Sequence, residues 1–281
     1  MSTLTGILRA THLFPNIMVA IATLVFGFLA TGGQPDGWAL ARTWLVVMCG
    51  HAAIGLANDY VDRNRDALTQ PDKPIPSGQI SPDLAFGLVI VLLACQVALY
   101  FTLAPGAALL AFAATTSGLL YDLRLKDSYL SWVPYFISFS TYLLFLWAAL
   151  GQFQPVLLWL YPPALLLTIG INLANALPDI ETDRARHASR GLAHRLGTRK
   201  TRQAVWLLFS LAPLLCIGLS RVLPVNRTWI EVLGIMAWVV VLVNILLYRR
   251  LPRQQALELT WKLSCVSTFL TAAGWLAALN L

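Results

Sequence analysis

The chain has 281 residues, of which 58% are hydrophobic and only 12% are charged, whereas soluble globular domains carry about 25% charged residues. Together with a mean hydropathy of +0.68, this composition excludes a soluble domain and predicts a polytopic membrane protein. The net charge of +7 does not indicate nucleic-acid binding, because that requires a basic face on a soluble domain, and here the basic residues lie between apolar runs.

Nine apolar runs are long enough to cross a bilayer, which takes roughly 20 residues. They cover residues 14–31, 40–57, 84–103, 106–122, 130–150, 156–177, 204–222, 229–248 and 261–279. We therefore expect an all-α polytopic membrane protein with nine transmembrane helices, forming a single domain over residues 1–281.

The loops between these runs alternate between nearly uncharged and strongly charged. If the amino terminus lies on the charged side, all of the 20 Lys and Arg residues except Arg42, Arg221 and Arg227 fall on that face. The positive-inside rule then predicts a cytoplasmic amino terminus and cytoplasmic charged loops, and we expect a bacterial inner (plasma) membrane. The sequence leaves the oligomeric state open.

The second apolar run ends in Asn58-Asp59-Tyr-Val-Asp62-Arg-Asn-Arg-Asp66. If its helix continues, Asp59, Asp62 and Asp66, called here the first acidic set, share one face. Like charges on a helix face repel by about a few tenths of a kcal/mol per pair, so a cation should lie between them. Mg²⁺ suits carboxylates and substrate phosphates. The alternative is a solvated helix cap.

A second acidic set, Asp179 and Asp183, ends the sixth run with i, i+4 spacing. Two such sets suggest two metal ions that clamp one diphosphate. Asn58 and Asn175 each precede an acidic run, and this weak repeat predicts two four-helix halves around a central cavity, with the ninth helix at the periphery. Alternatively, Asn and Asp recur at helix ends because they cap well.

Two charged loops follow the same membrane face. Prolines in Gln70–Gly78 exclude a regular helix, so Lys73 either reaches a phosphate or is a solvated loop residue. After the fourth run, Tyr121, Arg124 and Lys126 supply a hydroxyl and two cations. These residues either bind a diphosphate or anchor the loop by the positive-inside rule.

Three histidines have candidate positions. His51 lies seven residues before Asn58 on the same helix face, so it either lines an acceptor pocket or is a packed helix residue hydrogen-bonded to a neighbouring backbone. His187 and His194 lie in the basic loop after the second acidic set, and we expect them at the surface.

These motifs resemble those of the UbiA superfamily of intramembrane prenyltransferases. Asn58-Asp59-x-x-Asp62-x-x-x-Asp66 and Asp179-x-x-x-Asp183 are similar to its two aspartate motifs, and Asp72–Gly78 resembles its basic, proline-rich stretch. The resemblance implies that both acidic sets hold Mg²⁺, with two ions expected, that Asn58 fixes phosphates, and that Lys73 and Lys126 neutralise a prenyl diphosphate.

The implied reaction transfers a prenyl or polyprenyl group from its allylic diphosphate to a lipophilic acceptor by ionisation and alkylation. We expect an aromatic acceptor of the quinone-precursor type. Members that act on 4-hydroxybenzoate commonly carry Arg where this chain has His51, and an imidazole does not bind a carboxylate bidentately, so a neutral hydroxylated aromatic is favoured. The expected partners are therefore these two substrates and membrane lipids, with no nucleic acid.

Three alternatives use the same residues differently. A terpene cyclase of the UbiA type would quench the cation within its own chain, and a transferase could use a phosphorylated sugar or glycerol as acceptor. A transporter would also show repeats, but its charges should lie deep in broken helices, whereas these lie at one interface.

Overall fold

The computed structural model describes residues 3–185 and 191–279, which form eleven α-helices and no strand. The helices are α1 (Thr3–Ala10), α2 (Leu13–Ala30), α3 (Gly37–Thr69), α4 (Pro82–Tyr100), α5 (Pro105–Leu120), α6 (Trp132–Ala149), α7 (Tyr161–Ala176), α8 (Ile180–Ala185), α9 (Leu192–Leu219), α10 (Arg227–Tyr248) and α11 (Arg253–Ala277). A π-helical turn, Tyr121–Leu125, follows α5, and a 3₁₀ helix, Pro155–Leu160, precedes α7. The all-α prediction is confirmed.

Within the described residues, eight helical segments are long and apolar enough to cross a membrane. They coincide with the first eight apolar runs of the sequence, so the protein is an integral, multi-pass membrane protein. The ninth run lies in α11, which has 25 residues but carries Arg253, Glu258 and Lys262 in its first half. A ninth span stays a prediction.

The chain divides into two compact units. The first comprises Met1–Lys126 and Thr141–Phe153, and the second comprises Asp127–Ser140 and Gln154–Leu281. In the first unit the proline-rich loop buries Ile75 and Ile80 in a core with Leu56 of α3. In the second, α7 and α9 supply most of a larger core that includes Ile171 and Phe209. That the whole chain acts as one domain stays a prediction.

Helix α3 carries the first acidic set because it continues well beyond the apolar run. It begins at Gly37, directly after the N-cap residue Asp36, whose side chain accepts a hydrogen bond from the Ala39 N–H at 2.7 Å. It then runs for 33 residues and ends at Thr69, just before Pro71, and no proline lies inside it. The prediction of one continuous helix through Asp66 is confirmed.

The corresponding end of α7 is different. Helix α7 stops at Ala176, and α8 begins again at Ile180. Pro178 lies between them, and proline has no N–H to donate and disfavours a helical backbone at the residue before it. Asp179 therefore lies in a turn, although its carbonyl still accepts from the Asp183 N–H at 2.8 Å.

Candidate functional site

The first acidic set forms a buried face at the end of α3. Asp59, Asp62 and Asp66 are 2%, 8% and 3% exposed. Burying a carboxylate is costly unless it is paired and hydrogen-bonded, so the partners of these three side chains determine what the site can do.

Lys73 is the partner of two of them. Its Nζ lies 3.2 Å from Asp59 Oδ1 and 2.9 Å from Asp66 Oδ2. Burial alone would lower the pKa of this ammonium, but the two carboxylates outweigh it, and the pKa lies above its ordinary value. Lys73 therefore carries its charge between the aspartates, where the sequence predicted a cation.

The proline-rich loop is fixed from two sides, which sets the position of Lys73. Ile75 and Ile80 are buried. On the outer side, the Arg9 guanidinium donates to Gln79 Oε1 at 3.0 Å and to the Asp72 carbonyl at 2.9 Å. The loop, in which the prolines were expected to exclude a regular helix, is thus held by both apolar and polar contacts.

Lys126 approaches the same helix face from the turn after α5. Its ammonium pairs with Asp62 Oδ1, and Arg65 pairs with Asp62 Oδ2 at 2.8 Å. The backbone N–H of Lys126 donates to the Tyr121 carbonyl at 3.0 Å, a π-helical bond of the kind that is frequent at functional sites. On this turn Tyr121 is half-buried, whereas Arg124 is exposed.

His12 is part of this site, although the sequence analysis did not select it. Its Nε2 lies 3.1 Å from Asp59 Oδ1, and its backbone has a positive φ of 58°, which is uncommon for a residue with a side chain. The turn packs onto α3 at Gly55, where a Cβ would lie 2.8 Å from the Thr11 carbonyl. No helical periodicity could reveal a residue placed by such a turn.

Asn58 has a buried acidic partner that was also missed. Its Nδ2 donates to Asp122 Oδ1 at 2.7 Å, and Asp122 is only 3% exposed. The signal available in the sequence was an acidic residue at the end of an apolar run, a position where ionisable residues are functional by default.

His51 is half-buried in α3, and its Nδ1 lies 2.7 Å from Asn16 Oδ1. Asn16 is buried, and its amide donates to the Thr11 carbonyl. His51 is therefore hydrogen-bonded to a side chain of α2 and not to a neighbouring backbone. That it lines an acceptor pocket stays a prediction.

In the second acidic set, Asp183 pairs with a histidine. His194 Nε2 lies 3.0 Å from Asp183 Oδ2, and the two side chains are 11% and 15% exposed. The prediction of a surface position was therefore wrong for His194, because α9 begins at Leu192 and takes this part of the basic loop into a helix. His187 lies outside the described residues.

Asp179 is half-buried in the turn before α8. Asn175 donates from Nδ2 to the Tyr135 hydroxyl at 3.1 Å, whereas Asn58 donates to a carboxylate.

In α8, the exposed Glu181 accepts hydrogen bonds from Thr198 Oγ1 at 2.5 Å and from Arg253 Nη2 at 3.0 Å. The Thr198 hydrogen bond first, and then Arg253, hold the pKa of Glu181 below its usual value.

Over residues 3–185 and 191–279, no three His, Cys, Asp or Glu side chains are close enough together to hold a metal ion. In the first set, lysine ammonium groups lie against the carboxylates instead. The donor chemistry nevertheless fits Mg²⁺, because the set consists of buried carboxylate oxygens on one helix face, which are the ligands this ion prefers.

Comparisons with known proteins identify the family of the chain. A sequence model of the UbiA prenyltransferase family matches residues 19–277. The chain belongs to the UbiA prenyltransferase family. The predicted family is thereby confirmed.

Several curated relatives are similar over part of the chain. The digeranylgeranylglyceryl phosphate synthase of Methanoregula boonei is 32% identical over 205 residues, 70% of each chain. That of Methanothermobacter thermautotrophicus is 32% identical over 62% of this chain and 61% of its own. The 4-hydroxybenzoate octaprenyltransferase of Aeromonas salmonicida is 29% identical over 60% of this chain and 59% of its own. The chain thus aligns with about 60% to 70% of each relative's length.

Solved structures show the same fold. A UbiA homologue from Archaeoglobus fulgidus bound to GPP and Mg²⁺ matches with a TM-score of 0.73 at 16% identity, over 97% of this chain and 99% of that one. The apo UbiA homologue from Aeropyrum pernix K1 matches with a TM-score of 0.73 at 18% identity, over 92% of this chain and 96% of that one. These similarities confirm the fold class.

Proposed function

We propose that this protein transfers a prenyl or polyprenyl group from its allylic diphosphate to a lipophilic, hydroxyl-bearing acceptor within the membrane, with Mg²⁺ as cofactor. The observation that carries the proposal is the buried face of α3, where Lys73 and Lys126 lie against Asp59, Asp62 and Asp66. Carboxylates for a hard cation and ammonium groups for phosphate oxygens are both present there.

Each acidic set is proposed to hold one Mg²⁺. The ligands of the first ion would be Asp59, Asp62 and Asp66, and those of the second would be Asp179 and Asp183. When bound, such an ion neutralises the negative charge that develops on a departing diphosphate. The solved A. fulgidus homologue is described as bound to GPP and Mg²⁺, which supports this assignment.

The chain's own cations bind and orient the diphosphate. Lys73 and Lys126 are compact point charges on flexible stems, so each can turn from its aspartate to a phosphate oxygen. Tyr121 and Arg124 lie on the π-helical turn Tyr121–Leu125, which directly precedes Lys126. Together with Asn58, they are proposed to contact the diphosphate more weakly, and Asn175 has the corresponding role beside the second set.

The acceptor has two candidates. An aromatic acceptor of the quinone-precursor type is supported by the relative named 4-hydroxybenzoate octaprenyltransferase, but His51 in place of Arg argues against the benzoate carboxylate itself. A prenylated glycerol phosphate is supported by the relatives named digeranylgeranylglyceryl phosphate synthase, which are 32% identical. Both acceptors carry a hydroxyl group, and the proposal commits to that shared feature.

The experiment is an incubation of the purified protein in detergent with prenyl diphosphates of several lengths, followed by mass analysis of the products. Each reaction is run with quinols, with glycerol phosphate ethers, or with no acceptor, in Mg²⁺ or in EDTA. We expect a Mg²⁺-dependent adduct with one acceptor class. A cyclised hydrocarbon formed without acceptor would favour the cyclase, and full turnover in EDTA would overturn the metal assignment.

The proposed orientation places the amino terminus and the charged loops in the cytoplasm of a bacterial cell. Gln203 and Asn226 are exposed near opposite ends of the seventh predicted span. After replacement of the four native cysteines, a cysteine at position 203 should be labelled only from the cytoplasmic side and one at position 226 only from the other. Labelling of both from one side would contradict this orientation.

A further inference from the structure

Asp122 is a buried carboxylate that has no role in the proposed binding of diphosphate and Mg²⁺. It lies next to Tyr121 in the π-helical turn after α5, and it is 3% exposed. Ionisable side chains at the ends of membrane spans are costly to bury and usually mark a substrate or proton path. Its position therefore calls for a chemical explanation.

The contacts of Asp122 differ from those of the three aspartates on α3. Each of those pairs with a cationic side chain, whereas Asp122 Oδ1 accepts a hydrogen bond at 2.7 Å from the neutral amide of Asn58. Its Oδ2 is buried and has no hydrogen-bond partner among the described residues. Lys126, four residues further along the chain, is paired with Asp62, and Arg124, two residues further along, is exposed. One oxygen of Asp122 is thus hydrogen-bonded, and the other has no donor among the described residues.

An ionised carboxylate only accepts hydrogen bonds, so the group that suits Oδ2 is a donor such as a hydroxyl. A buried polar atom without a partner is uncommon in native proteins and calls for an explanation, and a catalytic role is one such explanation. In the proposed function the acceptor brings one hydroxyl group to the reaction, and the proton of that hydroxyl must leave during alkylation.

We propose that Asp122 is the residue that binds the acceptor's hydroxyl group and takes its proton. This inference rests on the proposed function. The bond between the allylic carbon and the diphosphate oxygen breaks, and the diphosphate leaves with the electron pair. The acceptor oxygen bonds to that carbon, and its proton passes to Asp122 Oδ2. With a phenol, the same proton transfer enriches the ring in electrons, a ring carbon forms the new bond, and the ring hydrogen then moves to the oxygen.

The test compares Asp122→Asn with the wild-type protein. An asparagine can still accept the Asn58 hydrogen bond but cannot take a proton. We expect the rate of transfer to fall by about 10²- to 10⁴-fold, as for loss of a general base. Prenyl diphosphate KM and the slow acceptor-free release of diphosphate should stay close to wild type. Asp122→Glu, which keeps a carboxylate, should retain more transfer than Asp122→Asn. Asp83→Asn is the matched control, because Asp83 is exposed in the first turn of α4.

Two further readouts separate a base from a structural residue. Across phenols of decreasing pKa, the deficit of Asp122→Asn should shrink, because a more acidic hydroxyl needs less help to lose its proton. With the wild-type protein alone, methyl ethers of the same phenols should not be alkylated at the phenols' rate, because they have no hydroxyl proton. This second readout applies even if the Asp122 variants do not fold.

The outcomes distinguish the two proposals. If the wild-type protein transfers to no hydroxyl acceptor, the proposed function fails. If the wild type transfers and Asp122→Asn does so at a similar rate, or if the variant loses transfer and acceptor-free release equally, only the role of Asp122 is overturned. Equal deficits across the phenol series, or methyl ethers that react as fast as phenols, would also overturn it.

Discussion

The two acidic sets have different hydrogen-bonding partners. On α3 the carboxylates pair with the ammonium groups of Lys73 and Lys126 and with the guanidinium of Arg65. In the second unit Asp183 pairs with His194, an imidazole that can donate a hydrogen bond while neutral. The first set is therefore held by charges that must be replaced or redirected when an ion binds, and the second set needs no such exchange at Asp183.

The largest expected effect is one that the two sets share. Asp62→Ala and Asp183→Ala should each lower the rate of prenyl transfer by several orders of magnitude. Each variant loses a ligand of the proposed metal ion and with it several kcal/mol of transition-state stabilisation, and every ~1.4 kcal/mol corresponds to about a tenfold change in rate. Rates are measured with saturating Mg²⁺, and Glu258→Ala is the control because Glu258 is exposed on α11. Near-normal rates would show that these aspartates are only helix caps.

The second prediction separates the sets by stability. Lys73→Met leaves Asp59 and Asp66 buried without their ammonium partner, which should cost about 3–5 kcal/mol. His194→Ala removes one hydrogen bond to the Asp183 carboxylate and should cost less, about 1.5–3 kcal/mol. The measurement is the free energy of unfolding by SDS titration of protein in detergent. Equal losses for the two variants would contradict the comparison.

A matched background sharpens this result. Replacing Asp59 and Asp66 by Asn removes the charges that Lys73 neutralises, so adding Lys73→Met to that background should cost much less than it costs in the wild type. The same cost in both backgrounds would show that Lys73 stabilises the loop by packing and not by charge.

The third prediction concerns the acceptor and is of intermediate size. His51→Arg should shift the preference toward 4-hydroxybenzoate by about 10- to 100-fold, because a guanidinium binds a carboxylate with about 1.5–3 kcal/mol. The measurement is a mixed-acceptor assay with 4-hydroxybenzoate and a neutral quinol. If the wild type already prefers the benzoate and His51→Arg leaves the ranking unchanged, His51 is a packing residue bonded to Asn16.

The smallest effect is expected at Arg124, which shares its turn with Lys126. Arg124 is exposed, whereas the Lys126 side chain is 11% exposed and paired with Asp62. Exposed charges contribute about 0–1 kcal/mol, so Arg124→Ala should raise the KM for prenyl diphosphate by less than about fivefold. Lys126→Ala should have a much larger effect on the same constant. The reverse order would assign the diphosphate contact to Arg124.

The sequence predicted whatever depends on periodicity and length. The eight apolar segments and the shared face of Asp59, Asp62 and Asp66 follow from helical spacing alone. His12 could not be predicted, because a positive-φ turn and the absence of a side chain at Gly55 place it beside Asp59. His194 was misassigned because a basic loop looks solvent-exposed in sequence, yet its backbone is helical from Leu192. Pairings such as Asn58 with Asp122 depend on tertiary contacts that spacing does not encode.

The central proposal is that each acidic set takes part in the Mg²⁺-dependent binding of prenyl diphosphate. The most direct measurement is equilibrium binding of a non-reactive prenyl thiodiphosphate to the purified protein in detergent, with Mg²⁺ or with EDTA, because it needs no acceptor. We predict tight binding by the wild type in Mg²⁺ only, and loss of that Mg²⁺-dependent increase in Asp62→Asn and in Asp183→Asn. Equal affinity in Mg²⁺ and EDTA, or unchanged Mg²⁺-dependent binding by both variants, would contradict the claim.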